Sequence, residues 1–362
     1  MIRMLHVFGR LNRGGAESRM MDIYRNIDRT VIQFDFIVHT EETCDYEDEA
    51  KELGARIFRL PRFTGSNFFA YRKAWQAFLA QCDVYKAIYI HVTNFAFAFL
   101  PLIKSIPMRI AHAHSSSDAS GAKRILVRVM RPNILKHCTH YFAASKKAAD
   151  FVFGVNIPDI KIIPNAIDAK AFAFDPELRR RMREELGLGD SYVVGHVGRL
   201  SVEKNHTFLI DVMKTLQREC PETVLLLVGD GPLRETLKRQ ATETGVNVQF
   251  LGLRKDVPAL MQAMDAFTLP SFYEGMPSVT VEAQAAGLPC IISDRVTKEC
   301  DLIPSLVTFL PIEPTEVNLN KWAKAIAKAS ESKRENTYNL IKSAGFDAKT
   351  QALWYTDFLQ KD

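Results

Sequence analysis

The feature that most constrains this chain is an alternation of short apolar runs with longer helix-period segments, and the alternation occurs twice. The first pass opens on Met4–Phe8, which ends in a glycine-containing loop. Phe34–His39, Ala55–Leu60, Ala87–His91, Arg109–His112 and His140–Ala144 follow as strand candidates, with helical patterns such as Ala16–Ile27 and Phe69–Ala80 between them. The second pass opens on Tyr192–Val197 and continues through Val224–Val228, Val248–Leu251, Ala266–Leu269, Cys290–Ser293 and Val307–Leu310. Its helices are predicted at Thr207–Glu219, Pro232–Thr244, Val257–Ala263, Val279–Ala286 and Lys321–Ser330. Strands that alternate with helices are joined by crossovers, so each pass predicts a parallel sheet covered by helices on both faces. The turn-rich stretch Ile163-Pro164-Asn165-Ala166-Ile167-Asp168 reads as the linker.

The expected architecture is α/β, with two Rossmann-like doubly wound domains facing each other across a cleft. The first takes residues 1–165 and the second 166–344. A last helical stretch, within 345–362, carries Trp354, Tyr355 and Phe358 and needs a surface to pack on. With 362 residues, 47% hydrophobic and 25% charged, each half is long enough to bury a core. The six cysteines form no C-x-x-C pair, which points to reduced thiols in a cytosolic protein rather than a zinc site or disulfide framework. The longest apolar run, near Phe95–Ile103, is too short to span a bilayer.

Charge is uneven. Residues 1–165 hold 23 Lys/Arg against 15 Asp/Glu, a net of +8, and the remainder holds 24 against 27, a net of −3. Between Ala119 and Ala149 there is no acidic residue, and Lys123, Arg124, Arg128, Arg131 and Lys136 interleave with apolar residues. This reads either as an amphipathic surface helix, broken near Pro132 and suited to an anionic membrane, or as a packed helix with a solvated basic face. No zinc finger, basic zipper or RNP motif is present, so nucleic acid is not an expected partner.

Four constellations could carry chemistry. Gly14-Gly15-Ala16-Glu17, between the first strand and first helix, is either a tight turn or an anion site at a helix N-terminus. It is not G-x-G-x-x-G, which disfavours a dinucleotide enzyme. Arg199 and Lys204 lie five apart after the first strand of the second half. Two cations there can bracket a diphosphate, at roughly 1–4 kcal/mol for an opposite charge about 4 Å away; as a bare spacing they could equally be solvated. Glu274 sits in a loop after a strand and Glu282 eight residues on, in the next helix, with Gly275, Met276 and Pro277 between them. Carboxylates are good acceptors for sugar hydroxyls, and Glu282 lies in an apolar stretch where it needs a partner. Last, strand alternation puts His112 and His114 on one face unless the strand ends between them, and a ligand-facing histidine is favoured over a metal pair.

Together these segments resemble the family 4 retaining glycosyltransferases, which have the GT-B fold, and most strongly the branch that builds bacterial exopolysaccharide, capsule and O-antigen. The resemblance is carried, in family order, by N-R-G-G-A-E, A-H-S-S, F-A-A-S, I-P-N-A-I-D, V-G-R-L-S-V-E-K-N-H, V-G-D-G-P-L, F-L-G, P-S-F-Y-E-G-M-P-S-V-T-V-E-A-Q-A-A-G-L-P and I-S-D. It implies that Arg199 and Lys204 bind the donor diphosphate and that Glu282 binds the ribose hydroxyls. It places Glu274 on hydroxyls of the transferred sugar, near backbone from Gly275 through Met276 to Pro277. Gly15 would approach the β-phosphate or the acceptor, and His114 would lie by the reacting carbon. Main chain around Leu251, Leu253 and Arg254 would read the base. The last helix would cross back onto the first domain. The family's linker usually reads N-G-I-D; Ala166 stands in place of the glycine, where a positive φ would be strained.

The implied activity is that of a hexosyltransferase-type enzyme, with retention at the anomeric carbon, using a UDP-linked donor and a saccharide or polyprenyl-diphosphate-linked acceptor. The chain has no D-x-D clamp, so no metal and no cofactor are expected, the two cations standing in for one. The expected location is cytoplasmic, at most peripheral on the inner face of the plasma membrane. A nucleotide-sugar epimerase of the same fold, or a catalytically silent nucleotide-binding subunit, is the rival reading.

Overall fold

The computed structural model describes residues 1–82, 84–92, 95–114, 121–155, 157 and 159–361. The chain divides into two compact units, Met1–Ala166 with Ala348–Asp362, and Ile167–Asp347. The first unit holds β1 (Ile2–Phe8), β2 (Ile32–Val38), β3 (Ile57–Arg59), β4 (Ala87–Ile90), β5 (Met108–Ala113), β6 (His140–Ala143) and β7 (Ile160–Ile162). Their order is β3-β2-β1-β4-β5-β6-β7, with every pair parallel. The second unit holds β8 (Val193–Val197), β9 (Val224–Val228), β10 (Val248–Gly252), β11 (Ala266–Leu269), β12 (Cys290–Ser293) and β13 (Val307–Leu310). Their order is β10-β9-β8-β11-β12-β13, again all parallel. Both units are thus Rossmann-like.

Parallel strands covered on both faces need apolar runs rather than alternation. Every residue of β9, Val-Leu-Leu-Leu-Val, is buried, as is every residue of β2. Gln33 and Asp35 inside β2 are the polar exceptions, and Asp35 is the charged one. Burial pushes its carboxyl up, but Arg3 and Arg56 donate to it and win, holding it below the usual carboxylate range. Tyr85 adds a third donor at 2.9 Å. The last helix, Ala348–Lys361, finds its surface on the first helix, Gly15–Asn26. There Ala352, Tyr355 and Leu359 join one core with Met20, Met21 and Tyr24. Fully burying a side chain such as Leu359 is worth about 1.5–3 kcal/mol.

The structure departs from the sequence reading at three places. The helix Gly121–His137 is not broken at Pro132. Proline removes one hydrogen bond there, yet the turns on either side are anchored: Arg131 donates to the Phe151 and Val152 carbonyls at 3.0 and 3.1 Å, and Ile134 is buried. The helices Lys146–Val152, Ala169–Phe172, Pro176–Glu185 and Tyr338–Ser343 and the strand β7 lie outside the predicted elements. Finally, Ala166 needs no glycine-like backbone. Among the described residues the positive φ values outside glycine belong to Asp159 and Asn205.

None of the six cysteines is in a disulfide. Among the described residues no helix is long and apolar enough to cross a membrane.

Candidate functional site

In the second sheet the chain steps from β8 to β10 on one side and from β11 to β13 on the other, so strand order reverses between β8 and β11. Open α/β sheets bind ligands at such a reversal, beyond the C-terminal strand ends. The loops that border it carry Arg199, Lys204 and Glu274. The loop after β8 runs from Gly198 through a 3-10 turn at Val202–Lys204. Asn205, at φ 56°, then swings the chain into the helix His206–Leu216, a left-handed conformation that asparagine tolerates.

This loop is held by its neighbour after β9. Gly198 N–H donates to Val228 O at 2.9 Å and Leu200 N–H to Asp230 O at 3.0 Å. A Cβ at Gly229, where φ is 133°, would lie 2.0 Å from Gly198 O, and one at Gly231 would lie 2.4 Å from Leu200 O. These two glycines let main chain stack on main chain.

Lys204 Nζ donates to Glu274 Oε1, and the buried Ser271 hydroxyl donates to the same oxygen at 2.9 Å. Phe272 N–H reaches Glu203 O at 2.9 Å, so the two loops are joined by backbone as well. The lysine and glutamate side chains are 18% and 16% exposed. Arg199 differs. It is exposed, and its side chain makes no hydrogen bond or ion pair among the described residues. The site therefore presents one cation without a direct partner among the described residues, its charge acting on the nearby Glu203 carboxylate, beside one ion-paired lysine, where spacing alone suggested two equal cations. Beneath the loop lie His196 and His206, both wholly buried, with ring centroids 4.2 Å apart. Burial, then the charges nearby, pushes both below the ordinary histidine range, His206 to about 4, so they stay neutral beside Lys204.

Past Glu274, Gly275 is exposed, Met276 half-buried and Pro277 buried. Pro277 heads the helix Ser278–Ala285, and no side chain caps it. Thr280 N–H donates to Pro277 O at 3.1 Å, and the N–H groups of Ser278 and Val279 receive no side-chain cap. Glu282 is half-buried on this helix between the buried Val281 and Ala283. Leu251 closes the apolar part of β10, and Leu253 is 77% exposed. Arg254 is forked onto Asp256 at 2.7 and 2.5 Å, which leaves main chain as what this corner can offer a ligand.

Gly15 and His114 belong to the first unit. Gly15 begins the first helix, capped by Gly14. The Glu17 carboxylate folds back there, so that a Cβ on Gly14 would lie 2.5 Å from its Oε2. Burial raises the Glu17 pKa, opposed by a bond from its own N–H. The helix N-terminus thus already holds an acidic group, which the glycine pair did not reveal.

β5 ends at Ala113, between the two histidines, yet the His114 ring still stacks on His112 with centroids 4.0 Å apart. The sheet order β1-β4-β5 adds two histidines that sequence spacing did not connect. His91 Nδ1 lies 2.8 Å from His114 Nε2, and His6 Nδ1 lies 3.2 Å from His91 Nε2. Burial, then the Arg19 charge, lowers His6 and His114 to about 3. Among the described residues no group of three or more His, Cys, Asp or Glu is arranged to hold a metal ion. Ser115 and Ser116 of the A-H-S-S segment, and Ala119 at the start of the basic stretch, lie outside the described residues.

The family model "Glycosyltransferase Family 4" matches residues 13–171, and "Glycosyl transferases group 1" matches residues 179–345. The Bacillus subtilis protein EpsF, named as a glycosyltransferase, is 34% identical over 363 residues, covering 96% of this chain and 93% of EpsF. An Escherichia coli UDP-Gal:alpha-D-GlcNAc-diphosphoundecaprenol alpha-1,3-galactosyltransferase is 33% identical over 51% of each chain. Among solved structures, Anabaena HepE in complex with UDP and glucose superposes with a TM-score of 0.77 over all of both chains at 22% identity, a likeness of fold. With a full-length relative at that identity and two family models in consecutive order, the chain belongs to the family 4 glycosyltransferases and has their GT-B fold.

Proposed function

We propose that the chain moves a hexose, with retention, from a UDP-linked sugar to a saccharide or polyprenyl-diphosphate-linked acceptor in bacterial surface-polysaccharide synthesis. The observation that carries this reading is the pair of loops at the β8/β11 reversal, with Arg199 exposed and without a direct partner among the described residues and Lys204 clamped to Glu274. The donor and acceptor classes draw support from relatives: the galactosyltransferase named above, and the capsular polysaccharide biosynthesis glycosyltransferase CapH of Staphylococcus aureus, 24% identical over 98% of each chain.

In this reading the bond from anomeric carbon to phosphate breaks, leaving charge on the diphosphate and an oxocarbenium-like sugar. Arg199 and Lys204 stabilise the departing diphosphate, with the uncapped N-terminus of Ser278–Ala285 beside them. Glu274 and the main chain at Gly275, Met276 and Pro277 hold sugar hydroxyls, and Glu282 the ribose. Main chain at Leu251, Leu253 and Arg254 meets the base. Gly15 approaches the phosphate or the acceptor, and His114 lies by the reacting carbon. The leaving phosphate takes the acceptor's proton on the face it vacates, so no metal and no carboxylate nucleophile is needed.

A panel of nucleotide sugars, monitored for nucleotide release with and without a lipid-linked acceptor, tests this. Acceptor-dependent release of UDP, unchanged by EDTA, is expected. Strict Mg²⁺ dependence would remove the metal-free mechanism, and conversion of the donor without acceptor would favour an epimerase.

The acceptor also bears on the helix Gly121–His137. Ile125 and Val129 are 63% and 65% exposed on the same side as the exposed Arg128 and Lys136. We expect co-sedimentation with vesicles rich in anionic lipid at low salt and release at high salt. Failure to bind at low salt would reject a membrane-facing role.

A further inference from the structure

Arg19 is 1% exposed and faces no carboxylate. Its Nε donates to Pro164 O at 3.2 Å, and its Nη2 to Gln351 Oε1 and the Tyr355 hydroxyl, each at 3.1 Å. A guanidinium only donates, so the Tyr355 oxygen must accept. The proton of Tyr355, itself 1% exposed, then has one neighbour among the described residues, the Tyr89 oxygen at 2.6 Å. Tyr89 accepts it and turns its own proton to His112 Nδ1, 2.6 Å away. Either direction leaves one buried proton without a partner among the described residues, that of Tyr355 if the chain ran the other way and that on His112 Nε2 if it runs this way. The Arg19 charge decides between them, because it favours phenol oxygens turned toward it and their protons turned away along the whole chain.

We propose that Arg19 and Tyr355 are positioning residues, whose one-way chain of hydrogen bonds through Tyr89 fixes His112 as its Nε2–H tautomer. The chain starts in the first helix, passes through the last helix and ends in the middle of the first sheet. Its end point matters because the His112 ring stacks directly on His114. His114 in turn shares protons with His91 and His6, one proton per contact, so these three neutral rings can change tautomer only together. A fixed His112 dipole against His114 biases that choice, and with it whether His114 Nδ1 is a donor or an acceptor. The link to turnover rests on the proposed place of His114 by the reacting carbon.

The test is ¹⁵N NMR of histidine-labelled protein, with His112 assigned by its loss in His112→Gln. In the unsubstituted protein its Nε2 should be protonated and its Nδ1 bare. Arg19→Met and Tyr355→Phe, checked for folding by thermal melts, should mix the tautomers. They should also lower kcat for UDP release from UDP-glucose about tenfold or more, with KM held within about twofold. Arg19→Lys, which keeps a donor-only cation, should restore both. A proton on Nδ1 in the unsubstituted protein, or an Nε2–H His112 that survives both substitutions, would overturn the relay. Mixed tautomers with unchanged turnover would instead overturn the role of His114, leaving the relay standing. The unsubstituted spectrum needs no variant to fold.

Discussion

Arg199→Ala and Lys204→Ala should each lower turnover by about a hundredfold to a thousandfold, the usual effect of deleting a group that stabilises transition-state charge. The two should differ in everything else. Arg199 is exposed and bound to nothing among the described residues, so its loss should leave the thermal midpoint unchanged. Lys204 is clamped to Glu274, and removing it leaves a half-buried carboxylate with the Ser271 hydroxyl as its remaining partner. That should cost about 1–3 kcal/mol of stability. Lys204→Met with Glu274→Gln should recover much of the stability and none of the activity. Kinetics with the donor found by the panel, beside urea titrations of each variant, measure both quantities. Normal turnover in Arg199→Ala would remove the phosphate role; a Lys204→Ala variant as stable as the parent would show that the ion pair contributes nothing.

Acid should unfold the protein steeply. His6, His39, His112, His196 and His206 are all at most 4% exposed, and burial lowers the pKa of each. Where a value is resolved it is about 3 for His6 and about 4 for His39 and His206. The unfolded chain binds protons near pH 6.5 and the folded one does not. Stability is therefore fully present above that pH and falls as pH drops from 6.5 toward about 4. At about 1.4 kcal/mol per proton per pH unit, five such groups approach about 7 kcal/mol per unit once the unfolded chain is protonated. That is comparable to the whole stability of a domain, about 5–15 kcal/mol. The midpoint of thermal unfolding should drop sharply between pH 6.5 and 5, with a slope equivalent to several protons. A flat midpoint over that interval would mean the imidazoles are already charged or solvated in the native state.

Much of the fold can be read from pattern. Ala266–Leu269, Cys290–Ser293 and Val307–Leu310 have the predicted bounds to the residue, because short apolar runs between turn signals leave little choice. β7 escaped because it has three residues, two of them exposed, and draws its register from β6. Pro176–Glu185 escaped because seven of its ten residues are charged and one, Met182, is buried. Only its Asp175 cap, which accepts from Glu177 and Leu178 N–H, could have announced it. The site divides along the same line. That His112 and His114 share a face follows from alternation. That His6 and His91 join them, or that Lys204 meets a glutamate 70 residues away, follows from which strands are neighbours, and strand order is not local information.

The last helix has one more consequence. It is the final piece of the first unit, yet it is separated from the rest of that unit by all of the second. Until it arrives, the Arg19 guanidinium lacks Gln351 and Tyr355, and the core around Met20 and Tyr24 lacks a wall. During synthesis, then, the half of the protein made first must be the half completed last. Residues 348–361 have to be synthesised before the amino-terminal unit can close.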